Sequence, residues 1–353
     1  MYYYALVYGP ARRLLAPLLL ALLVASCAPG RTTGDAASPA APPAVALRPL
    51  TAGDDRLIPL PDGPTAFRAI RQELGSARRT IQLEMYEFQR HDLARLILEA
   101  SARGVLVTAI MDPSERSSRA IWAELQQAGI TVVAFPIEPR TIDHVKLLLV
   151  DSEEAIVGGI NWGRKSPRNH DFDLLVEGPV VLNLARVFAE DLALAGQPQT
   201  LPSAKKDPLV QVLVTRPGEA IRNAALSLID AAQKSVIVEM FNLSDRLILE
   251  SLAAARHRGV AVRVLLDPTQ PQNLEAMAVL KAARVQVRFF IPVAGELLHA
   301  KLGIVDMDTV LFGSCNWTRS GFSRNHELDL LVRDADLARI FRARADQDWA
   351  QMS

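Results

Sequence analysis

A histidine and a lysine separated by one residue, followed by an aspartate, occur twice in this chain. The first set is His144-Val145-Lys146 with Asp151, and the second is His299-Ala300-Lys301 with Asp306. Each aspartate is followed, after the same gap, by a glycine-led stretch ending in asparagine: Gly158-Gly159-Ile160-Asn161 and Gly313-Ser314-Cys315-Asn316. A lone His-x-Lys is uninformative and is most often part of a surface strand. Two copies with matched gaps are hard to explain by chance. Side chains two apart on a strand share a face, so each copy presents an imidazole beside an ammonium. Two such copies turned toward each other suit a phosphodiester. The cations would hold the phosphoryl oxygens, one imidazole would attack, and the other would protonate the leaving oxygen.

The elements that must carry these residues also recur. His299 lies 155 residues after His144. The same offset relates Ile81–Tyr86 to Val236–Phe241, and Arg103-Gly104-Val105 through Asp112-Pro113 to Arg258-Gly259-Val260 through Asp267-Pro268. It slips by one residue at Asn169-His170-Asp171 and Asn325-His326-Glu327, as after a duplication with one residue gained or lost in a loop. Each half reads as a helix (near 65–77 and 219–232), a strand, and a second helix stopped by glycine (near 92–102 and 246–257). A short strand ended by Asp-Pro follows, then a third helix near 117–128 and 273–282. Strands near 131–135 and 285–291 come next. The motif strands (145–150 and 301–305), their partners (155–158 and 309–313), a last strand (172–176 and 328–332) and a closing helix complete each half. Helices alternating with apolar strands predict an α/β fold: two tandem homologous sandwich halves with mixed sheets; motif copies facing each other would put the active site at their interface. The halves fall at 51–195 and 209–353, joined by the proline- and lysine-containing stretch 196–208.

The paired motifs resemble those of the phospholipase D superfamily, and the resemblance extends over most of residues 55–350. It implies one active site built from both motifs, a metal-independent double displacement, and a phosphohistidine intermediate, with no cofactor. It implies His144 as nucleophile and His299 as acid and base. Lys146 and Lys301 complete the catalytic set with Asp151 and Asp306, whose role is equally consistent with stabilising the motif loop. Asn161 and Asn316 would bind the substrate phosphate. Asp171 and Glu327 match the family's carboxylates that orient the histidines. Glu84 and Glu239 recur on the first strands and read as paired structural glutamates or site residues. His170 and His326 read as structural or substrate-facing, His91 and His257 as surface residues, and Trp162 and Trp317 as core. No dense His/Cys/Asp spacing points to a metal.

Half of the 353 residues are hydrophobic and the formal net charge is zero, so bulk charge lends nucleic acid no support. Arg12-Arg13 followed by a short apolar run to Ala25 reads as an export signal. Val24-Ala25-Ser26-Cys27 resembles a bacterial lipobox, which would place a lipid anchor on Cys27 and face the protein to the periplasm or cell exterior. Residues 28–50 read as a flexible tether after the 1–27 signal. Cys315 then stands unpaired and reads as a buried, inert thiol. A phospholipid at a membrane surface is the expected substrate, with water or an alcohol as acceptor, in a phospholipase D or a phosphatidyltransferase resembling cardiolipin synthases. An exported endonuclease acting on DNA or RNA is the alternative, and a non-catalytic lipid-binding lipoprotein is disfavoured by the two intact motifs. Both motifs lie in one chain, so a monomer suffices.

Overall fold

The computed structural model describes residues 48–215, 218–293 and 295–351. The signal, most of the tether and Cys27 therefore lie outside the described residues. Among the described residues no helix is long and apolar enough to cross a membrane. Leu50, placed at the end of the tether by the sequence, instead opens the first strand.

The first half contains β1 (Leu50–Ala52), β2 (Asp55–Leu60), α1 (Gly63–Ser76), β3 (Thr80–Met85), α2 (His91–Ala102) and β4 (Leu106–Met111). It continues through α3 (Arg119–Gln127), β5 (Thr131–Ala134), β6 (Lys146–Val150), β7 (Glu154–Gly158), β8 (Asp173–Glu177) and α4 (Pro179–Leu194). The second half repeats this plan from β9 (Val210–Val214). It has α5 (Ala220–Ala231), β10 (Ser235–Met240), α6 (Arg246–His257), β11 (Ala261–Leu266), α7 (Asn273–Ala282) and β12 (Gln286–Phe289). It closes with β13 (Lys301–Val305), β14 (Thr309–Gly313), the short α8 (Arg319–Ser323), β15 (Leu328–Arg333) and α9 (Ala335–Ala350).

The strand order is β1-β2-β8-β7-β6-β3-β4-β5 in one sheet and β12-β11-β10-β13-β14-β15-β9 in the other. Apart from the extra β1, the two sheets have the same order. In each, the three strands linked through helices run parallel and the rest antiparallel, so both sheets are mixed. Helix boundaries follow local chemistry. Asp62, Asp245 and Asp334 accept backbone N–H bonds at the starts of α1, α6 and α9. Gly104 and Gly259 follow α2 and α6 with φ of 94° and 93°, the left-handed cap that a Cβ would penalise.

Alternation along the strands sorts the core. In β6, Leu147 and Leu149 join a central core shared by both halves, which also takes in Leu302 and Ile304 of β13 and the buried faces of α4 and α9. Leu148 and Val150 turn the other way, toward α1–α3. The second half repeats this, with α5–α7 covering the outer face of its sheet. Trp162 and Trp317 are core residues, one in each outer layer. Gly303 is glycine because a Cβ there would meet the Trp317 ring at 2.9 Å.

Candidate active site

Both His-x-Lys pairs sit at the starts of their motif strands. β6 begins at Lys146, one residue later than the sequence predicts, and β13 begins at Lys301. His144 is nonetheless held by backbone pairing, because its N–H donates to the His326 carbonyl at 2.8 Å. The His326 N–H donates in turn to Ile142, and His170 donates to Leu297. Each motif is thus laced to the Asn-His-acid segment of the opposite half.

The lacing decides which carboxylate meets which histidine. His144 Nδ1 lies 2.8 Å from Glu327 Oε2, and His299 Nδ1 lies 3.0 Å from both oxygens of Asp171. Asp171 and Glu327 are therefore brought to the histidines, and the pairing crosses from one half to the other. A carboxylate only accepts hydrogen bonds, so Nδ1 carries the proton and Nε2 is left with its lone pair. The glycine-led stretches make the approach possible. A Cβ on Gly159 would fall 2.6 Å from Asp171 Oδ1. In the second half the matching residue is Ser314, whose hydroxyl donates to Glu327 Oε2 at 2.6 Å, while Asn325 donates to Oε1 at 3.0 Å.

The lysines are buried with the histidines. Lys146 and Lys301 donate to the carbonyls of His144 and His299, and Lys301 Nζ lies 2.9 and 3.0 Å from Nδ1 and Nε2 of His299, of which only Nε2 can accept from it. Each ammonium also lies 5.3 Å from an aromatic centroid, Tyr86 for Lys146 and Phe241 for Lys301. The same two rings pack against the imidazoles, at 5.0 and 4.9 Å. Burial sets the protonation of all four groups. It pushes Lys146 down to about 7 and Lys301 down to about 8. It pushes His144 down to about 4 against the pull of Glu327, and His299 below its ordinary value against the pull of Asp171. Glu327 and Asp171 stay below the usual carboxylate range because, despite their burial, they face His144 and His299 respectively, and lysines. Each histidine feels both Lys146 and Lys301, so the two motifs form one site.

Asp151 and Asp306 are not in it. They sit at the far ends of the motif strands, in the tight turns after β6 and β13, with φ of 55° and 50°. Asp151 accepts the backbone N–H groups of Arg78, Arg79 and Thr80, and Asp306 those of Gln233, Lys234 and Ser235. The catalytic assignment of this pair is corrected on those grounds: they fasten the turn to the start of β3 or β10. Asp151→Asn and Asp306→Asn, which tolerate the left-handed turn but weaken the charged acceptor, are expected to lower stability by about 1–3 kcal/mol each. The catalytic rate of the folded fraction should be unchanged. Urea melts beside initial rates would check this, and a large rate loss at full stability would restore the catalytic role.

Asn161 and Asn316 sit at the ends of the same glycine-led stretches, with their amide oxygens buried and unpartnered among the described residues. Glu84 and Glu239 are fully buried behind the site, against His326 and beside Asp348, and do not join the histidine–lysine group. His326 and His170 are held by Asp191 and Asp348, at 2.9 and 2.8 Å. His91 and His257 are exposed, and Cys315 is buried, which pushes its thiol well up.

The sequence reading missed three supporting pairs. Asp112 and Asp267 accept the backbone N–H of Asp143 and Leu298, fixing the residue before each catalytic-site histidine. Asp173 and Asp329 accept from Ile160 and Cys315, pinning the glycine-led stretches. Tyr86 and Phe241 supply the rings. Each pair was visible as a repeat, but its target lies across the sheet and no spacing reveals it.

The family described as "Cardiolipin synthase, PLD-like domain" matches residues 70–192 and 225–349. Similar curated proteins include cardiolipin synthase A of Pseudomonas fluorescens, 28% identical over 83% of this chain and 68% of that one. Cardiolipin synthase A of Pseudomonas syringae pv. syringae is 30% identical over 78% of this chain and 65% of that one. The chain thus spans about two thirds of the length of these relatives. Among solved structures, phosphatidylserine synthase from Haemophilus influenzae aligns with a TM-score of 0.64 at 16% identity, covering 84% of this chain and 85% of that one. Polyphosphate kinase from Porphyromonas gingivalis aligns with a TM-score of 0.59 at 20% identity, over 83% of this chain and 47% of that one. These two likenesses concern the fold alone. With both of its halves matched by the family, this chain belongs to the phospholipase D superfamily.

Proposed function

We propose that the protein is a phosphatidyltransferase or phospholipase D acting on phospholipid phosphodiesters, in the manner of the cardiolipin synthases it resembles. The observation that carries the phosphodiester chemistry is the pair of imidazoles, each held by a carboxylate of the other half, beside two buried ammoniums. His144 Nε2 attacks phosphorus, a P–N bond forms, and the P–O bond to the leaving alcohol breaks. His299 gives that oxygen its proton. It then takes a proton from the acceptor hydroxyl, which attacks phosphorus and releases His144. Lys146, Lys301 and the amides of Asn161 and Asn316 hold the non-bridging oxygens as charge builds on them. Desolvation favours the neutral form of both imidazoles in the free enzyme, and the arriving anion supplies the charge that lets His299 hold a proton.

Two observations support a lipid. The curated relatives above are cardiolipin synthases. The stretch leading into His299 also exposes Ile291 and Val293, at 59% and 61%, an apolar lip suited to acyl chains. An anchor at Cys27 would keep the exported enzyme at a membrane, and one chain supplies the whole site. Incubating the protein with phosphatidylglycerol vesicles and, separately, with single- and double-stranded DNA, in EDTA, tests the assignment. Phosphatidic acid or cardiolipin is the expected product; DNA cleavage without lipid turnover would make it a nuclease.

The buried lysines give a pH dependence. Their charge is needed and is lost as pH rises through about 7 for Lys146 and about 8 for Lys301 in the free enzyme. We expect kcat/KM to fall on the alkaline side from that range. A profile flat to pH 10 would show that these ammoniums do not hold the phosphate.

A further inference from the structure

Behind the histidine–lysine site each half places a histidine among buried acids, and the two clusters are not alike. Around His170, the acids Asp348 and Glu239 face two cations: Arg344 lies 3.0 Å from Asp348, and Arg263 and Arg344 both act on Glu239. Around His326, Asp191 Oδ2 lies 2.9 Å and Glu84 Oε1 3.8 Å from Nε2, and the carboxyls of Asp143 and Asp191 lie against Glu84. Among the described residues no lysine or arginine is paired with these three acids.

The repeat shows how the difference arose. The 155-residue offset puts Thr108 where Arg263 stands and Asp143 where Leu298 stands. The closing helices align Asp191 with Asp348 and therefore Val187 with Arg344. Two cations are missing on the His326 side; Asp143 is added there, while Thr141 stands where the twin has Glu296, 3.6 Å from His170. Glu84 is fully buried against the carboxyls of Asp143 and Asp191, and among the described residues no backbone N–H, lysine or arginine reaches either of its oxygens or Asp143 Oδ2; in the twin only one oxygen each of Glu239 and Asp348 is left so. Leaving buried carboxylates uncompensated is costly.

We propose that Glu84, Asp191 and His326, with Asp143 beside them, bind a first-row divalent cation, Zn²⁺ or Mn²⁺. One donor atom each from Glu84, Asp191 and His326 lies within 4.8 Å of the others. Bonds of about 2.0–2.1 Å in a tetrahedron put ligand atoms about 3.3 Å apart; the two edges from His326 Nε2 are 2.9 and 3.8 Å, and the third lies within 4.8 Å. One imidazole with carboxylates suits these ions, whereas Ca²⁺ takes six or more oxygens. The cation stands where the twin cluster uses arginines. It takes no part at phosphorus. Asp143 precedes His144 and His326 precedes Glu327, so it clamps the crossing of the two halves on the His144 side.

The test is the metal content of the full chain, expressed with Zn²⁺ and Mn²⁺ supplied and measured by plasma mass spectrometry. We expect about one equivalent in the wild type and less than about a tenth of that in Glu84→Gln and Asp191→Asn, with Glu239→Gln at the twin position unchanged. Chelation should lower the wild-type Tm by about 5 °C or more, and Zn²⁺ or Mn²⁺ should restore it while Mg²⁺ does not. A wild type without metal whose Tm ignores both ions would overturn the site, as would a folded Glu84→Gln that keeps its full equivalent. Should the variants not fold, the wild-type content and Tm response decide alone.

Discussion

His144→Ala is expected to reduce kcat by about 10⁴-fold or more, and His299→Ala by about 10²–10⁴-fold, with folding intact. Both imidazoles are nearly fully buried, and at His299 the Lys301 ammonium lies 3.0 Å from Nε2, so truncation removes the reacting atom while leaving a small cavity. The two losses differ in kind. A nucleophile is needed whatever leaves, whereas a general acid matters less as the leaving group becomes a better anion. With a phosphodiester carrying a nitrophenolate leaving group, His299→Ala should regain most of its first-step rate, seen as a burst of nitrophenolate, and His144→Ala none. The opposite pattern would exchange the two roles. Activity surviving in either variant at the wild-type level would end the double-displacement account.

Glu327→Gln and Asp171→Asn form the second large prediction, at about 10²–10⁴-fold each. An amide can donate where the carboxylate only accepts, so the ring can turn its lone pair to Nδ1 and lose it from Nε2. The crossing makes the outcome specific. Glu327 holds His144 and Asp171 holds His299, so Glu327→Gln should behave like His144→Ala, and Asp171→Asn like His299→Ala. Only Asp171→Asn should recover its nitrophenolate burst. Were each carboxylate to serve the histidine of its own half, the rescue would fall on Glu327→Gln instead.

Much of this arrangement could be read in the chain because it is written twice. The motif spacing located the histidines, lysines and asparagines, and the repeated Asp-Pro and glycine signals bounded the elements between them. Asp151 and Asp306 show where repetition misleads: a turn that must fasten two strands is repeated as faithfully as a reacting group. The strands β2 and β9 show the converse. The offset carries Asp55–Leu60 onto residues 210–215 without one identical residue. Those strands pair with β8 and β15, far along the chain, and only backbone bonds to those partners identify them. The crossing of Asp171 and Glu327 was equally silent, because a sequence shows which residues match, not which of two equivalent copies a side chain reaches.

That crossing has a bearing on what an incomplete molecule can do. Each half carries one imidazole and the carboxylate that arms the other's, with residues 195–209 holding no helix or strand between them. When the halves part, as on the ribosome before the second is made or after a cut in that connection, both histidines lose their partners in the same event. No half-armed imidazole is left behind. The molecule becomes reactive only as its last interface closes, so assembly itself serves as the safety catch.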